Sequence, residues 1–476
     1  VFRHALFREG AYAMLTAQDR QTGHALAGVW LENAQESDLF IIATHFELGG
    51  DRQRAAHWYV HAAERALQGN DLATAFSALE RALTIDPDGP LSAKAWSLRA
   101  NGAMWGGDYR LALSAGVEAM RRTRPGSVDH SKAIFGLFPA AMLLRQQDHI
   151  QHCLELLGRI EPDDNARSYF ASALATSVVM FCFAGRRESV EFYVGRMQGL
   201  AQHDPIHDPA TTAWAQFGKA YWHRYVERNH FAALRLDRLA EQYFDSIGDR
   251  QHAASSGLDA SLLGAFDEAD EQFNQAQKQR GRGTTALIVQ YNWAFSQLER
   301  GNAAQSITLA QRMLEECRTQ GEFVIASTAR LILSEALIDL GKLDEAAETL
   351  SDLDTQLAVM FVNHTHALGV RAKLLLACGR SEEAVRLAEE TISRARTAGV
   401  YDLRHQALVL THAEALAACN DMEAARRAIA EAHDDIMTRS AQIDDANYRA
   451  SFLERVVTNA RILQFATKLF AEVEPR

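Results

Sequence analysis

Along most of the chain, apolar residues return every three or four positions with polar residues between them, the pattern of helices that bury one face. The pattern is interrupted at short intervals by Gly and a polar residue, as at Gly107-Asp108, Gly301-Asn302, Gly341-Lys342 and Gly379-Arg380. Such pairs end a helix in the left-handed conformation and let the chain reverse into the next. Asp51, Asp71 and Asp108 stand where a helix N-cap or first-turn acid is favoured. No Pro occurs between Pro209 and Pro475, so the second half is predicted to be a succession of helices unbroken by proline.

The helices carry a repeated phrase. GNDLATAFSALERALTIDP places Ala75, Leu79 and Ala82 at offsets of four and three, and GDYRLALSAGVEAM places Ala112, Gly116 and Ala119 in the same way. The pattern returns at Ala269, Phe273 and Ala276, at Ala346, Leu350 and Leu353, and at Ala384, Ala388 and Thr391, with weaker copies on Cys153, Val190, Leu234, Ser306 and Ala425. These ten anchors, from 75 to 425, recur about every 39 residues. Seven residues before each turn Gly, and before Asn420, lie Ala100, Gly257, Ala294, Ser334, Ala372 and Ala413. All are small, as closely approaching helix axes require.

This phrase resembles the tetratricopeptide repeat, whose unit is about 34 residues; the excess predicts longer helices or loops. The resemblance implies an all-α, right-handed superhelical solenoid of about ten tetratricopeptide-like helix pairs. In a solenoid each pair touches only its neighbours, so the chain escapes the size limit on a single core.

The opening differs. FRHAL, a basic and an acidic residue and AY, spanning Phe2 to Tyr12, are followed by THFELGGDRQRAAHWYVHAAERAL from Thr44 to Leu67. Together they resemble the segment that closes the helical region behind the nucleotide-binding core of bacterial STAND signal-transduction ATPases. The same segment occurs in bacterial serine/threonine protein kinases that carry an ATPase module and a tetratricopeptide tail. The resemblance implies that residues 1–36 end an ATPase-associated region and that a nucleotide-binding or kinase domain lies upstream of Val1. Residues 37–440 are then the array, with a possible bend near 198–210 where MQGLAQHDPIHDP breaks the helix pattern. Residues 441–476 are expected to form one amphipathic capping helix and a tail, with Tyr448, Phe452, Val456 and Ile462 or Leu463 on the apolar face.

Charge narrows the partners. The net charge of −12, from 49 basic and 61 acidic residues, argues against a general nucleic-acid or anionic-membrane surface. No apolar run approaches the roughly 18 residues of a membrane span. The five cysteines, odd in number and without a CxxC pair, read as reduced packing residues of a cytoplasmic protein.

No phosphate-loop, kinase, zinc-protease or serine-hydrolase motif is present, so no catalytic residue and no cofactor is expected. His203, Asp204, His207 and Asp208 have metal-like composition, but Pro205 and Pro209 break the helix that would align them, and no metal site is expected. Trp214, Phe217, Tyr221, Trp222 and Tyr225 recur at helical spacing and read first as packing, with part of the set free to form an aromatic ledge. The register of the first helices places Asn101, Tyr291, Glu335, Asp339, His366, Lys373 and Glu414 toward a groove. Together with Trp214, Tyr221 and Tyr225 these are the candidate binding residues. Mixed charge in a groove suits a peptide or partner helix. The expectation is a regulatory sensor that binds a protein segment or effector and acts on upstream domains of the same polypeptide. The alternatives are a passive assembly scaffold and the sensor part of a transcription regulator.

Overall fold

The structure, a computed structural model, describes residues 5–69, 71–202, 208–247, 255–280, 284–320, 322–358 and 360–471. All regular structure among them is helical, and the repeat is carried by ten consecutive helix pairs. Pairs one to three are Arg52–Gln68 with Leu72–Ile85, Ser92–Trp105 with Tyr109–Arg122, and Val128–Leu143 with Gln147–Arg159. Pairs four to six are Arg167–Phe183 with Arg187–Ala201, Pro209–Trp222 with His230–Ser246, and Ser255–Leu262 with Phe266–Arg280. Pairs seven and eight are Thr284–Glu299 with Ala303–Gln320 and Phe323–Asp339 with Leu343–Leu350; pairs nine and ten are Phe361–Ala377 with Ser381–Ala398 and His405–Ala418 with Met422–Ala441. The fold is an all-α helical-repeat solenoid. It divides into two compact units, 1–173 and 174–476, with the boundary inside the helix Arg167–Phe183.

The repeat phrase maps onto the core directly. All ten anchors, from Ala75 to Ala425, are fully buried on the second helix of their pair. The six small positions on first helices are buried as well. Close approach is the reason. Gly136 on pair three faces Ala100 on pair two so tightly that a Cβ there would stand 2.7 Å from the Ala100 carbonyl carbon. Ser306 donates from its hydroxyl to the Ala294 carbonyl at 2.9 Å, tying second helix to first within pair seven. The turns follow the same grammar: Gly107, Gly301, Gly341 and Gly379 all take positive φ. Asp51, Asp71 and Asp108 accept backbone N–H bonds at 3.0, 3.1 and 3.0 Å as N-caps.

Three expectations need correction. The second helix of pair eight stops at Leu350, and Leu353 is buried from a separate short helix, Leu353–Leu357. The C-terminal stretch forms two helices, Ala446–Glu454 and Val457–Ala471, because buried Asn459 donates its side-chain amide to the Phe452 carbonyl at 2.9 Å and stabilises the break. The N-terminal helices are Ala5–Met14 and Ala17–Asn33, with Tyr12, Leu26 and Trp30 exposed. One 20-residue helical stretch, Asp164–Phe183, is apolar enough by length and composition to cross a membrane; 61% of its most apolar window is buried, which marks a core helix. The middle of the bend expected near 198–210, with His203, Asp204 and His207, falls on 203–207, outside the described residues. Helix runs to Ala201 and restarts at Pro209, capped by Asp208.

Candidate functional site

Within the unit 174–476, the first helices bring several predicted groove residues together, but as a buried ion network. Glu335 on pair eight is 2% exposed and accepts from Arg404 Nη2 at 2.6 Å, Lys373 Nζ at 3.2 Å and His366 Nε2 at 3.4 Å. Lys373 also reaches Asp339 at 2.6 Å. Arg404, just before the first helix of pair ten, bridges onward to Glu299 of pair seven and to Thr458. Burial alone would raise the Glu335 carboxyl, but Arg404 and Lys373 outweigh it and hold it well below the usual carboxylate range. Tyr291 lies beside this network, its phenol pushed up by burial and by Asp402 and Glu335.

The aromatic set is divided. Trp214 packs edge-on to Phe244 at 5.1 Å inside a cluster with Ala213 and Ala240. Tyr221 stacks on Tyr225 at 5.8 Å, and Arg224 lies over the Tyr221 ring. Arg224 is itself buried and binds both Asp237 and Asp259. Burial pushes both carboxyls up, as one cation against two carboxyls requires. Tyr225 is buried, and its carbonyl accepts from the Tyr401 N–H at 2.8 Å. Asn101 is half-buried in the other unit, 1–173. Glu414 is paired at 2.6 Å with Arg461 of the C-terminal helix.

Sequence reasoning missed the groove beside this network. It encloses about 870 Å³ between the second helices of pairs nine and ten, with the first helix of pair ten as its floor. Val385 and Ile392 form one wall, Ala424, Ala428 and Ala432 the other, and Val409 and His412 the floor. It runs from Val385, Leu416 and Asp421 to an end built by Arg228, Tyr401, His405, Gln406 and Asp435. The Ala424, Ala428, Ala432 spacing was visible in the sequence, but it reads equally as ordinary repeat packing.

The Arg228 end has distinctive geometry. Trp222 leads into a π-helical turn, His223–Glu227, and Arg228 follows in the left-handed conformation at φ 56°. That conformation costs a non-glycine residue free energy and is held here by its partners. Both terminal nitrogens of Arg228 donate to Asp435, each at 2.9 Å, and the guanidinium lies 5.0 Å from the Tyr401 ring centre. Gln406 also donates to Asp435. Behind Arg228, Arg439 donates from Nε to the Arg228 carbonyl at 3.1 Å, with Asp435 at 3.8 Å. Burial and then Arg228 pull the Arg439 pKa down to about 9. His405 is buried, its pKa held well below the usual value by burial and then by Arg228 and Arg439, and its Nδ1 has no hydrogen-bond partner among the described residues. No group of three metal-ligating side chains occurs among the described residues.

No protein-family model and no curated protein sequence matches this chain. Among solved structures it is similar to a Rap protein complexed with Competence and Sporulation Factor, at 12% identity and TM-score 0.46 over 72% of this chain and 99% of that one. It is similar to yeast Tom70 at 13% identity and TM-score 0.36, over 96% and 97% of the two chains. It is similar to the P58(IPK) TPR domain at 13% identity and TM-score 0.25, over 88% and 99%. Likeness at this level assigns neither family nor ligand.

Proposed function

We propose that this chain is a protein-interaction module that receives a segment of another protein in the groove between the second helices of pairs nine and ten. The observation that carries this reading is the groove itself: about 870 Å³, with Val385, Ile392, Ala424, Ala428 and Ala432 interleaved with polar side chains along its walls and charged side chains at both ends. Apolar contact supplies affinity in such a site, and the polar ends supply orientation. Ala428→Trp would fill the groove without adding charge. Peptides selected from a random array on the full chain should lose at least tenfold in affinity for this variant; unchanged affinity would remove the groove from the function.

The finer reading is regulation. One end of the groove is Arg228, which also joins pair five to pair ten through Asp435, so an occupant there acts on an arrangement of the array. That observation favours a sensor over a passive scaffold. With the resemblance of Phe2–Tyr12 and Thr44–Leu67 to STAND-type and kinase-linked segments, the regulated activity is an ATPase or protein kinase carried upstream, in a cytoplasmic signalling protein. Assay of the longer polypeptide with and without a groove-binding peptide tests it: a scaffold leaves the rate unchanged, and a sensor changes it severalfold.

A further inference from the structure

We propose that the occupant of this groove is an amphipathic helix of a partner protein, about three turns long, laid with its C-terminal, acidic end against Arg228. This deepens the reading above and rests on it. The length follows from the walls. Val385 to Thr397 spans about 18 Å at the rise of an α-helix, or roughly three turns. The wall opposite supplies Ala424, Ala428 and Ala432 at i, i+4 and i+8, which lets another helix axis approach closely, while Val385, Ile392, Val409 and Leu416 offer apolar contact to its buried stripe.

The direction follows from charge. At one end Arg228 and Arg439 share the carboxylate of Asp435, which already holds Arg228 at both terminal nitrogens and accepts from Gln406, while Glu299, the other acid acting on Arg439, is bound by Arg404. Positive charge is therefore in local excess there, and His405 beside it presents an unpartnered Nδ1. At the other end Glu389 and Asp421 outnumber Arg427, which is itself paired with Glu423. One turn short of Asp435, Arg396 and Glu431 answer each other across the walls at 3.4 Å and leave that end's balance unchanged. A helix carries partial positive charge at its N-terminus and partial negative charge at its C-terminus, and acidic residues in its last turn add to the latter. Only one orientation meets both ends of the groove with opposite charge.

The test uses a library of amphipathic helical peptides made in two charge orientations of identical composition, acidic at the C-terminal turn and basic at the N-terminal turn, or the reverse. A third set has proline at the centre. Fluorescence anisotropy on the full chain should show the acidic-C-terminus set binding roughly tenfold or more tighter than the reversed set, and the proline set losing binding. Arg228→Gln should bring the two orientations to equal affinity. Because that change could loosen the fold, the orientation preference on the unaltered protein, which needs no variant, is the primary readout. Equal or inverted preference, or undiminished binding of the proline set, overturns the helix while sensitivity to Ala428→Trp keeps the groove. Binding insensitive to Ala428→Trp ends both readings, and no saturable binding by any set overturns the helix.

Discussion

At the scale of single residues, this protein keeps ionisable groups in its interior and controls their charge by their neighbours. His130 is 1% exposed, and burial, then His152, pull its pKa down to about 4. Between pH about 6.5 and about 4 it binds a proton in the unfolded chain but not in the folded one, so its contribution disfavours folding progressively as pH falls through that window. Buried Asp237, Asp259 and Asp402, whose pKa values are raised by burial, work in the opposite sense, so the histidine is best isolated by difference. Urea unfolding of the wild type and His130→Gln should differ by a constant above pH 6.5. Below it the wild type should lose up to about 1.4 kcal/mol more per pH unit; parallel curves down to pH 4 would contradict this. Such positions were poorly legible in the sequence. Arg404 is assembled with Glu335 and Glu299, 69 and 105 residues away, and nothing local in VYDLRHQ announces them. Arg224, set among Trp222, Tyr221 and Tyr225, did carry a signal: a cation inside an aromatic run must find a buried partner.

At the scale of elements, legibility was high because the information is local. The four-and-three spacing of the anchors, the small residue seven before each turn and the turn glycines each report one helix pair and its neighbour. What failed was the point at which a helix stops. The breaks after Leu350 and at Arg455 carry side-chain contacts instead of a turn glycine: Arg330 donates to the Thr349 carbonyl and binds Asp352 at the first, and Asn459 donates to the Phe452 carbonyl at the second. The close approach of pairs two and three gives a prediction. Gly136→Val adds three carbons where one already meets the Ala100 backbone at 2.7 Å, so the helices must part. Overpacking of this kind costs about 1–3 kcal/mol or more, measurable as a lowered urea midpoint; Gly158→Val, with open space around its Cβ, should show no such overpacking loss.

At the scale of the molecule, the unit 174–476 joins its early pairs to its late ones. Arg228 meets Asp435 across 207 residues of sequence, Arg439 reaches the Arg228 carbonyl, and Arg238 of pair five binds Tyr448 near the C-terminus. None of this was legible, since partners so far apart leave no periodic trace and an array of neighbours predicts no such contact. A double-mutant cycle on Arg228→Ala and Asp435→Ala should give a coupling free energy of roughly 1–3 kcal/mol, and either variant should speed amide exchange over residues 223–229; additive effects and unaltered exchange would show that the pair contributes nothing. The Arg228 to Asp435 pair also changes how such a coil bears tension. A string of stacked hairpins stretches like a spring, each interface yielding a little, whereas one fastened between its fifth and tenth hairpins resists until the fastening parts and then lengthens abruptly. Pulled from its ends, that stretch should answer first with a step rather than a gradual extension.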